Sequence, residues 1–502
     1  MEARFADAAE APALAPAAAG AGLSLVATPG SGLGPRPAST PRPRATPGRP
    51  ETTNGPRLAE LLGALSHALD LTGGLLPGHA ARSCWIGQQI GHALGLGKTQ
   101  LRDLYYAVLL KDAGCSSNAA RMGALWLGDD RAIKRDLRTI GTSLPARLHF
   151  VVARAGAGAG PSRRLHAAWN LVRHRAAITQ ELVQARCQRG AEIARQLRFG
   201  EPVAEGIASL DEHWDGSGHP QGLRGERIPL VSRIALLAQV VDVFHTNAGP
   251  RAAMEEVTLR RGGWLDPHLA DVFARLAGED AFWRRLGAED LEHELFALEP
   301  ARRPQPVDDD YLDDIALAFG RIVDAKSPFT GGHSARVAEL TDSLALQFGL
   351  DADARRWLRR GALLHDMGKL GVSNAVLDKP GKLDPAEWAA VQRHALYTEQ
   401  ILGRISAFGV LARVAGAHHE KLDGTGYPRG LDARHIRLET RIITTADIFD
   451  ALTADRPYRD AMPVERALGI MEGEAGTGID PECLAVLKRV LKEREFGVRS
   501  PT

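Results

Sequence analysis

The feature that most constrains this chain is that it carries one pattern twice. Gly78-His79 reads over Gly332-His333 at an offset of 254. At the same offset Ile86, Ile90, Leu94, Gly95 and Leu96 read over Leu340, Leu344, Phe348, Gly349 and Leu350, and Leu109-Leu110-Lys111-Asp112 over Leu363-Leu364-His365-Asp366. Further on the offset becomes 208. There Asp215-Gly216-Ser217-Gly218-His219-Pro220 reads over Asp423-Gly424-Thr425-Gly426-Tyr427-Pro428, and Arg233-Ile234 and Asp242 over Arg441-Ile442 and Asp450. Agreement of so many positions in order implies tandem duplication. The apolar residues recur at helical spacing and stop at glycines, while strand patterns are short and sparse. The chain is therefore expected to be all-α, two tandem helical bundles, in keeping with a length of 502 residues, too long for one ordinary core.

The expected organisation is an Ala/Pro/Gly-rich disordered tail over residues 1–55, a first lobe over 56–298, an acidic, proline-containing linker over 299–310 and a second lobe over 311–499. Residues 11–35 carry no charge, but Pro12, Pro16 and Pro29 break any apolar helix and Arg4 is the whole basic region, which argues against a signal peptide. No other run is long enough to span a bilayer. The offset shrinks because Asp112 to Cys187 is 75 positions whereas Asp366 to His394 is 28, so the first lobe holds an insert within about 119–186. Residues 121–190 contain 13 Lys/Arg against 4 Asp/Glu. The plainer reading is a solvated helical face; the sharper one is a docking surface for an acidic partner or nucleic acid, and the scarcity of aromatics argues against nucleic acid. The formal net charge of +1 gives no global reason to bind nucleic acid or anionic lipid. Cys84, Cys115, Cys187 and Cys483 are scattered without a CxxC pair, which fits a reducing cytoplasm.

Polar residues interrupt the apolar helices of the second half at His333, His365-Asp366, His394, His418-His419 and Asp447. Any one alone is more often a hydrogen-bonded core residue than a ligand. Seven in under 200 residues are costly to bury unless cations compensate them. Imidazole and carboxylate without thiolate suit Fe, Mn or Zn. Five histidines and two aspartates exceed what one ion takes. A carboxylate can bridge two ions where an imidazole cannot, and Asp366, beside a ligating histidine, is the natural bridge. Two such ions clamp a phosphoryl group and activate water.

The runs His365-Asp366-Met367-Gly368-Lys369, His418-His419-Glu420-Lys421-Leu422-Asp423-Gly424-Thr425-Gly426-Tyr427-Pro428 and Asp455-Arg456-Pro457-Tyr458-Arg459 resemble the HD-GYP family, a branch of the HD phosphohydrolases. The resemblance implies HD-type bundles and hydrolysis of cyclic di-GMP to pGpG, and on to GMP, with two divalent ions, Fe or Mn. It implies one ion on His333, His365 and Asp447, the other on His394, His418 and His419, and Asp366 between them. Lys369 would reach a phosphate oxygen, Arg456 and Arg459 the dinucleotide phosphates, and Tyr427 would shape the lip of the site. Where the family often has Asp six residues before His333 stands Ser327, which leaves Lys369 or a metal-held water as the proton donor. Where some members have Glu four residues before His333 stands Phe329, so two ions are expected rather than three.

The first half fails the same test. His365 is replaced by Lys111, His394 by Cys187 approximately, His418-His419 by Leu210-Asp211, Asp447 by Gln239 and Lys369 by Cys115, leaving His79 and Asp112. This lobe is expected to be catalytically dead, kept for packing, regulation or a protein partner held by the lobe or its basic insert. Beside the cyclic di-GMP reading stand two others: a different cyclic dinucleotide or phosphate ester, and a weakly catalytic nucleotide-binding module.

Overall fold

The computed structural model describes residues 57–140, 144–297, 307–455 and 460–495. The tail expected over 1–55, most of the expected linker, and Arg456 and Arg459 lie outside the described residues. Among those described every regular element is a helix; pairing of the β type is limited to the isolated bridges Arg261–Leu265, Asp423–Asp432 and Ala475–Ile479. The all-α expectation, with two similar helical lobes, stands. No helix is long and apolar enough to cross a membrane among the described residues.

Local sequence sets the helices that carry the second lobe. Asp308 caps Asp309–Asp324 by accepting from the Tyr311 amide at 2.8 Å, and Asp351 caps Ala352–Leu364 through the Ala354 amide at 2.8 Å. Pro385–Leu402 opens on a capping box: Asp384 accepts from the Glu387 amide at 2.9 Å and Glu387 accepts from the Asp384 amide at 2.8 Å. Ile315, Phe319 and Ile322 of the first of these helices are buried with Val337 and Leu344 of His333–Gln347, Leu358 of Ala352–Leu364, and Ile442 and Ile443 of Leu438–Thr453. Each such side chain contributes about 1.5–3 kcal/mol of burial, and together they fix helices whose polar residues then converge on one another.

The duplication is visible in detail. Gly78 and Gly332, at φ 84° and 72°, each turn the chain into a helix that begins with the repeated histidine. Glu212 holds the loop after it through the amides of Gln221 and Leu223, at 2.6 and 2.8 Å; Glu420 does the same with Arg429 and Leu431, at 2.7 and 2.8 Å. A side chain at Gly114 would collide with the Arg186 carbonyl, and one at Gly368 with the His394 carbonyl, each at 1.9 Å. Both glycines are therefore required for the turn after the repeated aspartate to lie against its neighbouring helix.

The described residues, from Arg57 onward, form one compact unit, and the lobes meet reciprocally. Leu58–Thr72 lies on Pro385–Leu402 of the second lobe, and Asp309–Asp324 lies on Arg175–Gln196 of the first. Thr72 Oγ1 donates to the Leu370 carbonyl at 3.2 Å and Tyr311 donates to the Leu197 carbonyl at 2.8 Å. From the insert, Asp130 accepts from the Asn374 amide at 2.8 Å, at the start of the short helix Asn374–Leu377 that Ser373 caps. The helices Ala119–Trp126, Asp130–Thr139, Leu144–Arg154 and Pro161–Arg173 carry the insert, and Met122, Leu125, Trp126, Ile133, Ala167 and Leu171 give it a core of its own.

Candidate metal centre and its degenerate counterpart

His333 opens its helix, His365 ends another, His394 lies in the middle of Pro385–Leu402, His418 and His419 follow Gly409–Gly416, and Asp447 lies in Leu438–Thr453. All are buried, as is Asp366. The fold brings all seven together as three overlapping groups: His333 with His365 and Asp447, His365 with Asp366 and His418, and His394 with His418 and His419. Within each group one ligand atom per residue lies within 4.8 Å of the others. These are buried His/Asp clusters able to chelate metal ions.

The two oxygens of Asp366 face opposite ways. Oδ2 lies 3.5 Å from His333 Nε2 and 3.3 Å from His365 Nε2. Oδ1 lies 3.5 Å from His394 Nε2 and 3.8 Å from His418 Nε2. The outer ring nitrogens are already committed: Nδ1 of His333 to Asp450 at 2.7 Å, and those of His365, His394 and His418 to the carbonyls of Ala362, Val391 and Ala415 at 2.7, 2.6 and 2.6 Å. With the proton held on Nδ1, Nε2 presents a lone pair inward, the form in which histidine binds a metal. His333 Nε2, His365 Nε2 and Asp366 Oδ1 are buried yet lack hydrogen-bond geometry to any partner, and the Nε2 atoms of His394 and His418 face each other at 3.3 Å. Facing lone pairs repel and buried polar atoms without a hydrogen bond are costly; cations would relieve both, so the donor set fits divalent metals.

The electrostatics show the same strain. Burial disfavours a charged His365, yet the Asp366 carboxylate and contacts to Asp447 lift it to about 9. Burial, with His365 and His394 alongside, pushes His418 down to about 3. Burial would raise Asp366, but Lys369 and His365 hold it well below the usual carboxylate range. Lys369 Nζ sits 2.8 Å from Asp366 Oδ2. The Tyr427 ring stands 4.8 Å from that of His419. Three features escaped sequence reasoning. Asp450 orients His333 and is itself gripped by Arg336, with Arg336 Nε 2.6 Å away. The offset pairing Asp242 with Asp450 was the available signal. Asp378 accepts from Ser327 Oγ at 2.6 Å, so a carboxylate does stand beside position 327.

In the first lobe the outer scaffold survives: His79 Nδ1 lies 2.6 Å from Asp242, which also pairs with Arg82. The interior is refilled with side-chain cations. Lys111 Nζ lies 2.8 Å from His79 Nε2 and pairs with Asp112, which also accepts from Arg138 at 3.1 Å. The Gly114 and Gly368 contacts show that Arg186, not Cys187, stands where His394 does, and Arg186 pairs with Asp211. Arg138 comes from the basic insert, as does Lys134, which donates to the Cys115 carbonyl at 3.0 Å. Part of the insert's charge is thus directed inward rather than solvated.

Burial, followed by the Lys111 ammonium, depresses His79 to about 4, whereas the unfolded chain takes up that proton near 6.5. Between these values the unfolded state binds more protons, so stability is full above pH 6.5 and falls as pH drops toward 4. In urea unfolding at pH 7 and pH 4, His79→Gln should lose roughly 3 kcal/mol less stability on acidification than the unaltered chain. Identical pH dependence would contradict the buried neutral ring.

A family model described as HD domain matches residues 152–269 and 318–483. The chain is 55% identical over 434 residues to 3'3'-cGAMP-specific phosphodiesterase 3 of Vibrio cholerae serotype O1, covering 86% of this chain and 94% of that protein. It is 43% identical over 319 residues to 3'3'-cGAMP-specific phosphodiesterase 1 of the same organism, covering 61% of this chain and 74% of that protein. A crystal structure of a cyclic GMP-AMP-specific phosphodiesterase of V. cholerae aligns with TM-score 0.60 at 50% identity, over 87% of this chain and 97% of that one. With a buried His/Asp cluster, a family match in both halves and a close relative along almost its whole length, this chain belongs to the HD-domain family of metal-dependent phosphohydrolases, in its HD-GYP branch.

Proposed function

We propose that the chain hydrolyses 3'3'-cGAMP, opening the ring at one phosphodiester bond, and that catalysis resides in residues 311–499 while the 56–298 lobe is non-catalytic. The observation that carries the hydrolytic reading is the divided carboxylate of Asp366, one oxygen toward each half of the histidine cluster. In this reading His333, His365 and Asp447 would hold one ion and His394, His418 and His419 the other, with Asp366 serving as the bridge. Two divalent ions, Fe or Mn, would polarise the phosphoryl oxygens and lower the pKa of water there. Lys369, its ammonium 2.8 Å from Asp366, binds a phosphate oxygen and gives a proton to the leaving 3′ oxygen. Asp450 and Arg336 keep His333 in its binding tautomer. Arg456 and Arg459 take the phosphates.

The metal cluster alone is compatible with cyclic di-GMP, which the resemblance in sequence favours. The mixed purine is preferred because the likeness to cGAMP-specific proteins extends over 86% of this chain, well beyond residues 311–499. Protein purified without oxygen and loaded with Fe or Mn should show a kcat/KM for 3'3'-cGAMP at least about tenfold above that for cyclic di-GMP, a difference of roughly 1.4 kcal/mol in transition-state binding. The reverse order would return the reading to cyclic di-GMP. Turnover of neither by protein containing both ions would refute it.

A further inference from the structure

We propose that Trp388, held edge to face with Tyr427, is the platform on which one purine base of the substrate stacks. The inference rests on the cyclic-dinucleotide reading above and adds a binding residue to it. Trp388 lies in the second turn of Pro385–Leu402, the helix that carries His394, and is half-buried. Its ring meets Tyr427 edge to face, with centroids 5.9 Å apart at 85°. Tyr427 in turn lies 4.8 Å from His419 and 6.3 Å from His394. A partly open indole therefore stands two ring contacts from a histidine of the candidate metal centre, where a base would lie if its phosphate were held at that centre.

The first lobe supplies an internal control. At the offset of 208, Trp388 corresponds to Gln180 and Tyr427 to His219. Gln180 occupies the same place on the repeated helix and reaches the repeated turn, donating from Nε2 to the Pro220 carbonyl at 2.8 Å. The turn keeps its Glu212 anchor and its glycines without either aromatic ring. The frame thus does not need the pair for packing, and the lobe that has lost most of the metal ligands lacks the platform as well. A half-buried tryptophan is suited to a base because stacking accepts any purine face. For that reason the platform strengthens binding without choosing guanine over adenine.

Trp388→Leu, which keeps an apolar side chain on the helix beside the turn, should raise KM for 3'3'-cGAMP about tenfold, the size of one base–aromatic stack, with kcat within about threefold. Trp388→Phe should restore most of the affinity, and thermal unfolding of both should match the unaltered protein. A second measurement needs neither a variant nor turnover: by calorimetry, AMP should bind the metal-loaded protein about tenfold more tightly than ribose 5-phosphate. An unchanged KM in folded Trp388→Leu, or equal binding of the two phosphates, overturns the platform. Failure of the unaltered protein to hydrolyse any cyclic dinucleotide overturns the substrate reading instead, and the calorimetric comparison still decides the platform.

Discussion

Replacing Asp366 by alanine is expected to remove both ions and to lower hydrolysis by on the order of 10³-fold or more. Asp366 turns one oxygen toward each half of the cluster: Oδ2 looks toward His333 and His365, Oδ1 toward His394 and His418. Losing it separates two sets of imidazoles that then have no shared anion between them. The same change leaves Lys369 without its carboxylate at 2.8 Å, so the ammonium adds repulsion to any cation that remains. Metal content by plasma emission spectroscopy and product formation from 3'3'-cGAMP should therefore fall together. Full metal occupancy with lost turnover would show that Asp366 acts on substrate rather than as the bridge. Unchanged turnover would refute the site.

Much of this centre is legible in the sequence because ligands are few, chemically distinct and out of place in apolar helices. His333, His365, Asp366, His394, His418, His419 and Asp447 can be picked out before any distance is known, and the fold brings all seven together. What the sequence conceals is what orients them. Asp450 is 117 residues from His333, and nothing in its own neighbourhood announces a hydrogen bond to that ring. Asp378 reaches Ser327 from 51 residues along the chain, so a departure from the family pattern at one position is accompanied by a carboxylate at another. Repeat alignment also blurs at an insertion boundary. The offset changes between Asp112 and Arg186, and a one-residue shift exchanges a small thiol for a guanidinium. Only the backbone contacts of Gly114 and Gly368 decide it. Composition likewise reads the insert as a solvated basic face, whereas Arg138 and Lys134 run inward to the Asp112 turn.

That inward charge leads to the second large effect. Lys111→Met in the first lobe should destabilise the protein by roughly 3–5 kcal/mol, the cost of breaking a buried ion pair and leaving its partner exposed to no water. Lys111 is 2% exposed and Asp112 3%, so solvent cannot replace the lost ammonium. Burial would raise Asp112, but Lys111, then Arg138, hold it well below the usual carboxylate range. Without Lys111, Arg138 alone, from the insert, must carry most of that role. The first lobe thus solves with covalently attached cations the problem that the second is proposed to solve with metal ions: both bury a histidine and an aspartate on the same helical frame. Metal removal by chelation should accordingly weaken the second centre and leave the Lys111 site intact. In denaturant unfolding, Lys111→Met should lower the midpoint whether or not metal is present, with the metal content of the purified protein unchanged. A stability loss under about 1 kcal/mol, or a loss seen solely in the metal-loaded protein, would show that the ammonium does not take the place of an ion in this lobe.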